Sequence, residues 1–418
     1  MINKRKCLLR SAIIAFVLLI FTYFLGNLPY SIMGEKLFLK KAVALHEIIK
    51  KEKGNKDVLD DVLFVNVAYD KEMRPYCDTL MGWCGSIPVT NRHKLLELLK
   101  YLKKQEEIEQ ESGGNYYKFI LLDVSFGSVK TEWDPELFSL IKSMPRIVVP
   151  YREDEKIVDE GLMEKARLAK YLQFIQVAGF TKYPYFIKTN DKRWEKTIPA
   201  EMFEKTTGRK IKKLGPFYFD GWRMAKRSCF LSLDVWPDYW YNLGMDLLND
   251  TLTMVVSGTD TTLLVGENRL YNSSKLTKNK YIIIGSHYRY GDDMHNTFKG
   301  DMAGAALCYN AFHSMIHNQY LVNPFIVLFL FFMYFILAII VLGDGKERII
   351  SSKWFKKLRK RWKLVVFLSI SFLGTFIVLK VSSLLIFVVF GKIIEIFIVS
   401  IVFSIMSLIV KFNKIIQS

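Results

Sequence analysis

The sequence predicts an α/β domain, with a mostly parallel sheet flanked by helices, anchored by four transmembrane helices, one N-terminal and three C-terminal. Three observations predict this architecture. Long apolar runs without charge lie near the two ends of the 418-residue chain. Between them, short apolar runs typical of buried strands alternate with helical patterns. Basic residues collect beside the apolar runs and account for most of the net charge of +18.

The first apolar run, residues 11–28, predicts an uncleaved membrane anchor. It carries no charge and is just long enough to cross the hydrocarbon layer, which needs about 20 residues. The preceding tail, residues 1–10, contains four Lys or Arg residues and no acidic residue. A cleavable signal peptide starts in the same way, but no small-x-small cleavage site follows this run directly.

Three further spans are predicted near the C-terminus, at residues 323–343, 364–380 and 393–410. The loop 344–363 between the first two holds nine basic and two acidic residues. Because Lys and Arg concentrate on the cytoplasmic side, this loop, the N-terminal tail and the tail 411–418 are predicted to be cytoplasmic. The segment 29–322 is then extracytoplasmic, in a multi-pass protein of a bacterial inner membrane.

The outer segment begins with the pattern strand, helix, strand, helix, strand. Its apolar strand runs cover residues 61–70, 118–126 and 146–151. Leucines at i, i+3, i+4 and i+7, with Thr90 or Asn91 as the cap, predict a first helix that frays from Gln105 onward. Connections of this kind are right-handed and place their strands parallel in one sheet.

A last strand and helix complete the outer segment. Residues 280–286 predict a core strand, and a helix capped by Asp301 is expected to follow as far as Gln319. That helix leads almost directly into the second membrane span.

Cys77 and Cys84 lie close together in a Gly- and Pro-rich segment that we interpret as a loop. In an oxidising compartment, this spacing allows a small disulfide. The alternative is that they are two unrelated small apolar residues, and the sequence leaves both readings open.

Aspartates follow the predicted strands at the edge where ligands bind in open α/β sheets. Asp70 ends the first strand, and Asp123 lies near the end of the second, which we expect to be its neighbour. A second set of candidates follows the Ile-Gly strand and comprises Asp292, Asp293, His295 and Thr297. Converging on one crevice, these side chains would bind an unknown small molecule or peptide. Alternatively, the aspartates accept hydrogen bonds from turn N–H groups.

Motifs for a cofactor, a metal or a catalytic mechanism are absent from the sequence. It contains no GxGxxG or Walker A pattern, no nucleophile elbow and no Cys/His cluster with zinc spacing. His313 and His317 are four residues apart on a predicted helix, but the glutamate of the metalloprotease motif is missing between them. We interpret both histidines as residues of a solvent-exposed helix face. We therefore expect no cofactor, no metal and no enzymatic activity.

The stretch 281–319 resembles the C-terminal part of the CHASE2 sensory domain. The residues that match the family's pattern of strand, Ile-Gly, Asp, Thr, small-residue turn and helix are Ile284, Gly285, Asp293, Thr297, Gly304 and Ala305. Phe298 stands where the family usually has Pro, and Ala303 where it often has Pro. Asp70 and Asp123 fit the start of the family, and one span before the domain with three after it fits its layout.

The resemblance implies an extracytoplasmic sensor that acts on a cytoplasmic effector. Since no output domain follows the last span, we expect a separate effector protein to receive the signal. Two alternatives are a membrane-tethered, metal-dependent enzyme that uses the aspartates, and a structural subunit of a membrane complex. A homo-oligomer is compatible with each of these functions.

The net charge of +18 does not indicate a nucleic-acid partner. Residues 11–343 hold 42 basic and 38 acidic residues and so contribute only +4. The remaining positive charge flanks the predicted spans, mostly on the cytoplasmic side. The lipid bilayer is therefore the expected partner of the basic segments.

Overall fold

The computed structural model of the protein describes residues 4–28, 60–78, 82–126, 129–151, 160–168, 180–189, 191–231, 233–237, 240–248, 254–256, 259–261, 274–287, 293–297, 299–342, 357, 359–390 and 397–417. Its helices are α1 (Lys4–Gly26), α2 (Arg92–Glu111), α3 (Asp134–Ser143), α4 (Ile198–Thr207), α5 (Gly304–Ile316), α6 (Pro324–Leu342), α7 (Lys360–Phe390) and α8 (Phe397–Gln417), with short helical turns at Glu160–Glu164, Leu243–Leu247 and Ser274–Thr277.

The strands are short and are numbered in chain order. They are β1 (Val62–Asn66), β2 (Lys71–Asp78), β3 (Trp83–Thr90), β4 (Phe119–Leu122), β5 (Ile147–Tyr151), β6 (Ala166–Leu168), β7 (Lys182–Pro184), β8 (Phe186–Lys188), β9 (Trp194–Lys196), β10 (Ile211–Leu214), β11 (Phe217–Asp220), β12 (Arg223–Ala225), β13 (Ser228–Phe230), β14 (Tyr241–Asn242), β15 (Met254–Val256), β16 (Thr259–Thr261), β17 (Tyr281–Gly285), β18 (Met294–Asn296) and β19 (Asp301–Ala303).

A six-stranded sheet in the order β14-β1-β17-β4-β5-β6 forms the centre of the domain, and its pairings are all parallel. The predicted parallel sheet is thus confirmed. The expectation that the first two strands are neighbours is wrong, because β17 lies between β1 and β4 and pairs with both. The strand β17 comes from more than 150 residues later in the chain, and no local pattern around β1 or β4 predicts such a distant partner.

Helices cover both faces of this sheet, which is why β1 up to its last residue, Asn66, together with β4 and the interior of β17, is apolar. On one face, α2 and α3 pack against apolar side chains such as Leu63 and Ile120. On the other face, α4 and α5 pack against their strand neighbours Phe64 and Leu121. Alternate residues of each strand therefore contribute to two separate cores.

The predicted leucine stripe buries α2 against the sheet. Asn91 caps the helix, and its side chain accepts a hydrogen bond from the backbone N–H of Lys94 at 3.0 Å. The helix does not fray at Gln105 but continues to Glu111. Buried Glu106 explains the extra turn, since it pairs with Arg146 and accepts the N–H of Tyr116 at 2.8 Å.

The start of α5 also differs from the prediction. Ala303 occupies the N-cap position, whereas the predicted cap, Asp301, lies in β19 and pairs with Asn296 of β18. Every residue from Gly304 to Met315 is buried, so α5 is a core helix rather than an amphipathic one. Asp301 was predicted to be the cap only because Asp is a common capping residue. The short β18–β19 hairpin that contains Asp301 has no distinctive sequence pattern.

Within the described residues, three helices are long and apolar enough to cross a membrane: α1, α6 and the segment Arg361–Phe387 of α7. This confirms the N-terminal span and the first two C-terminal spans, with α7 longer than the predicted 364–380. The fourth span, predicted at 393–410, is not supported. The apolar part of α8, Phe397–Val410, has fewer than 18 residues, whereas a span needs about 20.

The membrane helices pack against one another and against the domain. Thr22 of α1 and Tyr334 of α6 share a buried hydrogen bond of 2.8 Å between their hydroxyl groups. Phe387, near the end of α7, belongs to the same core as α5. Since Gly26 of α1 and Pro324 of α6 also adjoin the domain, these three helix ends meet it at one side.

Candidate ligand site at the carboxyl edge of the sheet

The connections of neighbouring strands leave the sheet on opposite sides at its centre. The chain after β1 leads to α2 on one face, and the chain after β17 leads to α5 on the other face. Such a point opens a crevice outside the carboxyl ends of the strands, where open α/β sheets bind their ligands. The ends of β1, β17 and β4 form this edge, which we call the carboxyl edge.

Asn66, the last residue of β1, holds the carboxyl edge together. Its side-chain oxygen accepts the backbone N–H groups of Ala68 and His287, both at 2.9 Å. Its amide donates to Asn242 Oδ1 of β14 at 3.1 Å. Asn66 was not among the predicted site residues, although a buried amide at the end of an apolar strand was a usable signal.

Asp70 is buried and has protein partners for both carboxylate oxygens. Lys94 Nζ donates to Oδ1 at 2.9 Å, and the backbone N–H of Gly244 donates to Oδ2 at 3.1 Å. The first contact joins Asp70 to α2, and the second joins it to the Leu243–Leu247 turn. This geometry corresponds to the alternative in which Asp70 fixes the surrounding loops.

Asp123 and Asp293 form the acidic centre of the crevice. Asp123 follows β4, and burial together with the nearby charge of Asp293 raises its pKa well above the ordinary value. Asp293 lies over the start of α5, since a Cβ atom added to Gly304 would be 2.6 Å from Asp293 Oδ1. The lack of a side chain at Gly304 therefore allows this carboxylate to sit against the positive end of the helix.

Glycine at the end of β17 brings α5 close to the same centre. A Cβ atom added to Gly285 would be 2.7 Å from the Cβ of Ala305 and 3.4 Å from that of Asp123. The second residue of α5 therefore touches the strand end directly beside Asp123. Little free space therefore separates the two carboxylates, the strand end and the first turn of α5.

Basic side chains lie near the two carboxylates. His295 Nε2 lies 3.5 Å from Asp293 Oδ1, and the His295 ring packs edge-on against Phe180. Lys71 Nζ donates to Thr90 Oγ1 at 3.0 Å. Partial burial and the Arg92 charge lower the pKa of Lys71, and the charges of Asp293 and Asp70 oppose that shift. The crevice therefore combines acidic and basic groups.

Thr297 is not part of this acidic centre. It lies beside the centre, in a turn. Its hydroxyl donates to the carbonyl of Gly300 at 2.6 Å and accepts the N–H of Lys299 at 3.2 Å. It is buried and closes the β18–β19 hairpin. Asp292, predicted alongside these residues, lies outside the described residues.

The two cysteines lie in a β-hairpin and not in the predicted loop. The other end of this hairpin is beside the crevice. Cys77 in β2 and Cys84 in β3 are directly paired across antiparallel strands, and their sulfur atoms are joined in a disulfide. The first residue of this hairpin is Lys71. The disulfide therefore ties together the far end of the element that carries Lys71.

The prediction of a solvent-exposed face is wrong for His313, whereas His317 is exposed. His313 is buried in the core, and its ring lies 4.2 Å from that of His317, which follows the end of α5. Burial first, and the neighbouring His317 second, lower the pKa of His313 to about 4, so this ring is neutral at physiological pH. Within the described residues, no group of three or more His, Cys, Asp and Glu side chains could hold a metal ion.

Comparison with known proteins gives no relative: no family model, curated protein or solved structure matches the chain.

Proposed function

We propose that this protein is an integral membrane sensor. Its α/β domain binds a small ligand at the carboxyl edge, and α5 and α6 carry the change into the membrane. The observation that carries this proposal is the position of α5. Its first turn contacts Asp293 and the end of β17, and its last turn is separated from the span α6 by only residues 317–323.

The junction between α5 and α6 is held by the domain. Asn318 and Gln319 donate backbone hydrogen bonds back to α5 at 2.9 Å each. Leu321 forms a bridge to Ala225 of β12, and the N–H of Val322 donates to the carbonyl of Met224 at 2.9 Å. A displacement of α5 along its axis would therefore move the start of α6 unless this junction yields.

The expected ligand is a small molecule or short peptide that carries a positive charge. Two neighbouring carboxylates repel each other, and the raised pKa of Asp123 reflects that repulsion in addition to burial. A bound ammonium group would remove the repulsion, and it would bind more tightly to the arrangement of α5 that brings the carboxylates together. Such a difference in affinity is what a ligand needs to shift a conformational equilibrium.

The resemblance to CHASE2 sensory domains supports the same function, since its matching residues, among them Gly285, Asp293 and Gly304, are those that join the carboxyl edge to α5. We place the domain outside the cytoplasm and the basic loop 344–363 inside, by the distribution of Lys and Arg. The output then passes to a separate cytoplasmic effector. The alternative of a metal-dependent enzyme has no supporting donor set in the part of the chain that is described.

Ligand binding is tested on the full chain in lipid nanodiscs, with a panel of amines, amino acids and short basic peptides. We expect at least one compound to raise the melting temperature of the wild-type protein. The increase should be lost in Asp123→Asn and Asp293→Asn. It should be retained in Asp191→Asn, which changes an exposed aspartate elsewhere in the domain. A panel that shifts none of the proteins, or all four equally, would count against the proposal.

A further inference from the structure

The three strands β10, β11 and β12 form a small antiparallel sheet with one exposed face. Tyr218, Asp220 and Ala225 on its inner face are buried in the domain. Directly paired residues lie on the same face of a sheet, and so do alternate residues along a strand. The register therefore places together, on the outer face, Lys212, Leu214, Phe217, Phe219 and Met224.

The outer face of this sheet is apolar. Leu214 is 71% exposed, and Phe217, Phe219 and Met224 are partly exposed. Trp222, in the turn between β11 and β12, is 86% exposed. A water-facing sheet surface would carry polar residues at these positions. A contiguous apolar surface of this kind marks contact with a membrane or another partner.

The sheet is attached to the membrane span α1 at a defined depth. The ring of Phe217 lies 5.5 Å from that of Tyr23 and 5.9 Å from that of Phe24. The Tyr23 hydroxyl donates to the carbonyl of Ala225 at 3.0 Å and accepts the N–H of Tyr218 at 3.4 Å. The span runs from Arg5 to Gly26, so these contacts fall in its last turn. The outer face of the sheet is thus level with the end of the span.

Basic residues lie around the apolar face. Lys212 is exposed on the outer face, and exposed Lys210 directly precedes β10. Arg223 is exposed at the start of β12 beside Trp222, although its pairing with Asp220 places it on the inner side of the sheet. The guanidinium of Arg223 lies 5.5 Å from the Trp222 ring centre. Aromatic residues with Lys and Arg at the level of a span's end are typical of the membrane interface, where rings sit among headgroups and basic groups contact phosphates.

We propose that the outer face of β10–β12 rests in the interfacial layer of the bilayer, with Leu214, Phe219 and Trp222 among the lipid headgroups and upper acyl chains. Continuity with α1 selects lipid as the occupant, because Phe217 already contacts rings of the span itself. This contact holds the domain at a fixed height beside the membrane. It rests on the membrane placement of α1 and does not depend on the proposed sensing.

The depth of this face can be measured in the full chain by fluorescence quenching. One cysteine is added at Leu214 or at Phe219 in a Cys7→Ser background that keeps the Cys77–Cys84 disulfide, Cys229 and Cys308, and each variant is labelled with an environment-sensitive fluorophore. The labelled proteins are reconstituted in phosphatidylcholine–phosphatidylglycerol vesicles. We expect spin-labelled lipids to quench both labels strongly and aqueous iodide to quench them weakly.

Three controls keep the result interpretable. Met73→Cys labels an exposed position on β2, beside the carboxyl edge, and should be quenched by iodide alone. Phe16→Cys labels the middle of α1 and should be quenched by lipid alone, whereas iodide quenching there would refute the membrane placement itself. The Cys7→Ser chain without a new cysteine is the blank. Lipid quenching at Phe16 with iodide quenching at both Leu214 and Phe219 would overturn the proposal.

Discussion

The negative charge of Asp123 is unfavourable in the folded protein. Burial and the neighbouring Asp293 raise its pKa, so the folded state binds this proton more tightly than the unfolded chain does. The stability that comes from protonation is fully present below the unfolded pKa. It is lost as the pH rises through the raised folded pKa. At neutral pH, an ionised Asp123 therefore weakens the fold.

Asp123→Asn should raise the stability of the full chain at neutral pH, because the amide avoids the cost of a carboxyl group whose pKa is raised by burial and by Asp293. The advantage over the wild-type protein should shrink as the pH falls, because both side chains are then uncharged. Thermal unfolding in detergent measures both effects. A range of about pH 4 to 8 extends from the ordinary pKa of Asp to just above neutrality. A gain that stays constant over this range would show that charge is not its cause.

Asp70 provides the matched comparison, with the opposite expected sign. Asp70→Asn weakens the contact with Lys94 and places an amide where Gly244 donates its N–H. We expect a loss of about 1–3 kcal/mol at neutral pH, as for other buried charged hydrogen bonds. Both substitutions change Asp to Asn at the same edge of the sheet. Their opposite effects on stability would distinguish Asp70, which fixes loops, from Asp123, whose ionised form destabilises the fold.

At the residue scale, the sequence located the carboxyl-edge aspartates but could not assign their roles. Asp70 and Asp123 both follow apolar strands, and only their surroundings distinguish them. The partners of Asp70, Lys94 and Gly244, come from α2 and from a turn more than 170 residues away. Asn66 has no motif of its own, and although one of its N–H donors is local Ala68, the other, His287, becomes visible only when β17 lies beside β1.

The proposed transmission from the carboxyl edge to the membrane depends on the contact between β17 and α5. The Cβ of Ala305 leaves no room for a side chain at Gly285, and it cannot rotate away because it is fixed to the helix backbone. Gly285→Ala should therefore force the strand and helix apart and lower stability by about 1–3 kcal/mol. Thermal unfolding of the full chain gives this value.

The double variant Gly285→Ala/Ala305→Gly tests whether that close contact is the cause. It moves the methyl group from the helix to the strand, so it should recover most of the loss, less about 0.5–1 kcal/mol for glycine in a helix. Strict additivity of the two single changes would refute the close-contact explanation. Gly374→Ala, at a helix position with open space, is the control and should not destabilise.

At the element scale, periodicity predicted helices and strands better than it predicted their neighbours. The leucine stripe gave α2 because a one-sided apolar pattern fixes both helix and face. The β2–β3 hairpin was interpreted as a loop because its residues, KEMRPYCD and WCGSIPVT, include Pro and Gly, which are rare in strands. A fourth span was predicted from hydropathy across 393–410, but in the described part of the chain the apolar stretch of α8 is too short to support it.

Within the described residues, the ends of three apolar helices, α1, α6 and α7, connect to the α/β domain. Gly26, Pro324 and Phe387 lie at or in the domain, while Thr22 and Tyr334 join α1 to α6 within the membrane. The apolar runs of the sequence predicted α1, α6 and the apolar part of α7, whereas the orientation inferred from the charge pattern stays a prediction. The sequence could not predict that the domain contacts the end of α7, because that contact depends on the tertiary packing of Phe387.

The central claim is that the state of the carboxyl edge reaches the membrane through α5. Hydrogen exchange in the junction 317–323, measured on the full chain in lipid nanodiscs, tests this claim most directly. Asp123→Asn replaces one ionisable member of the carboxylate pair with a neutral amide, and we predict a changed exchange rate at the junction, with no change in Asp191→Asn. A junction that exchanges at the wild-type rate in Asp123→Asn, while exchange near Asp293 itself changes, would contradict the account.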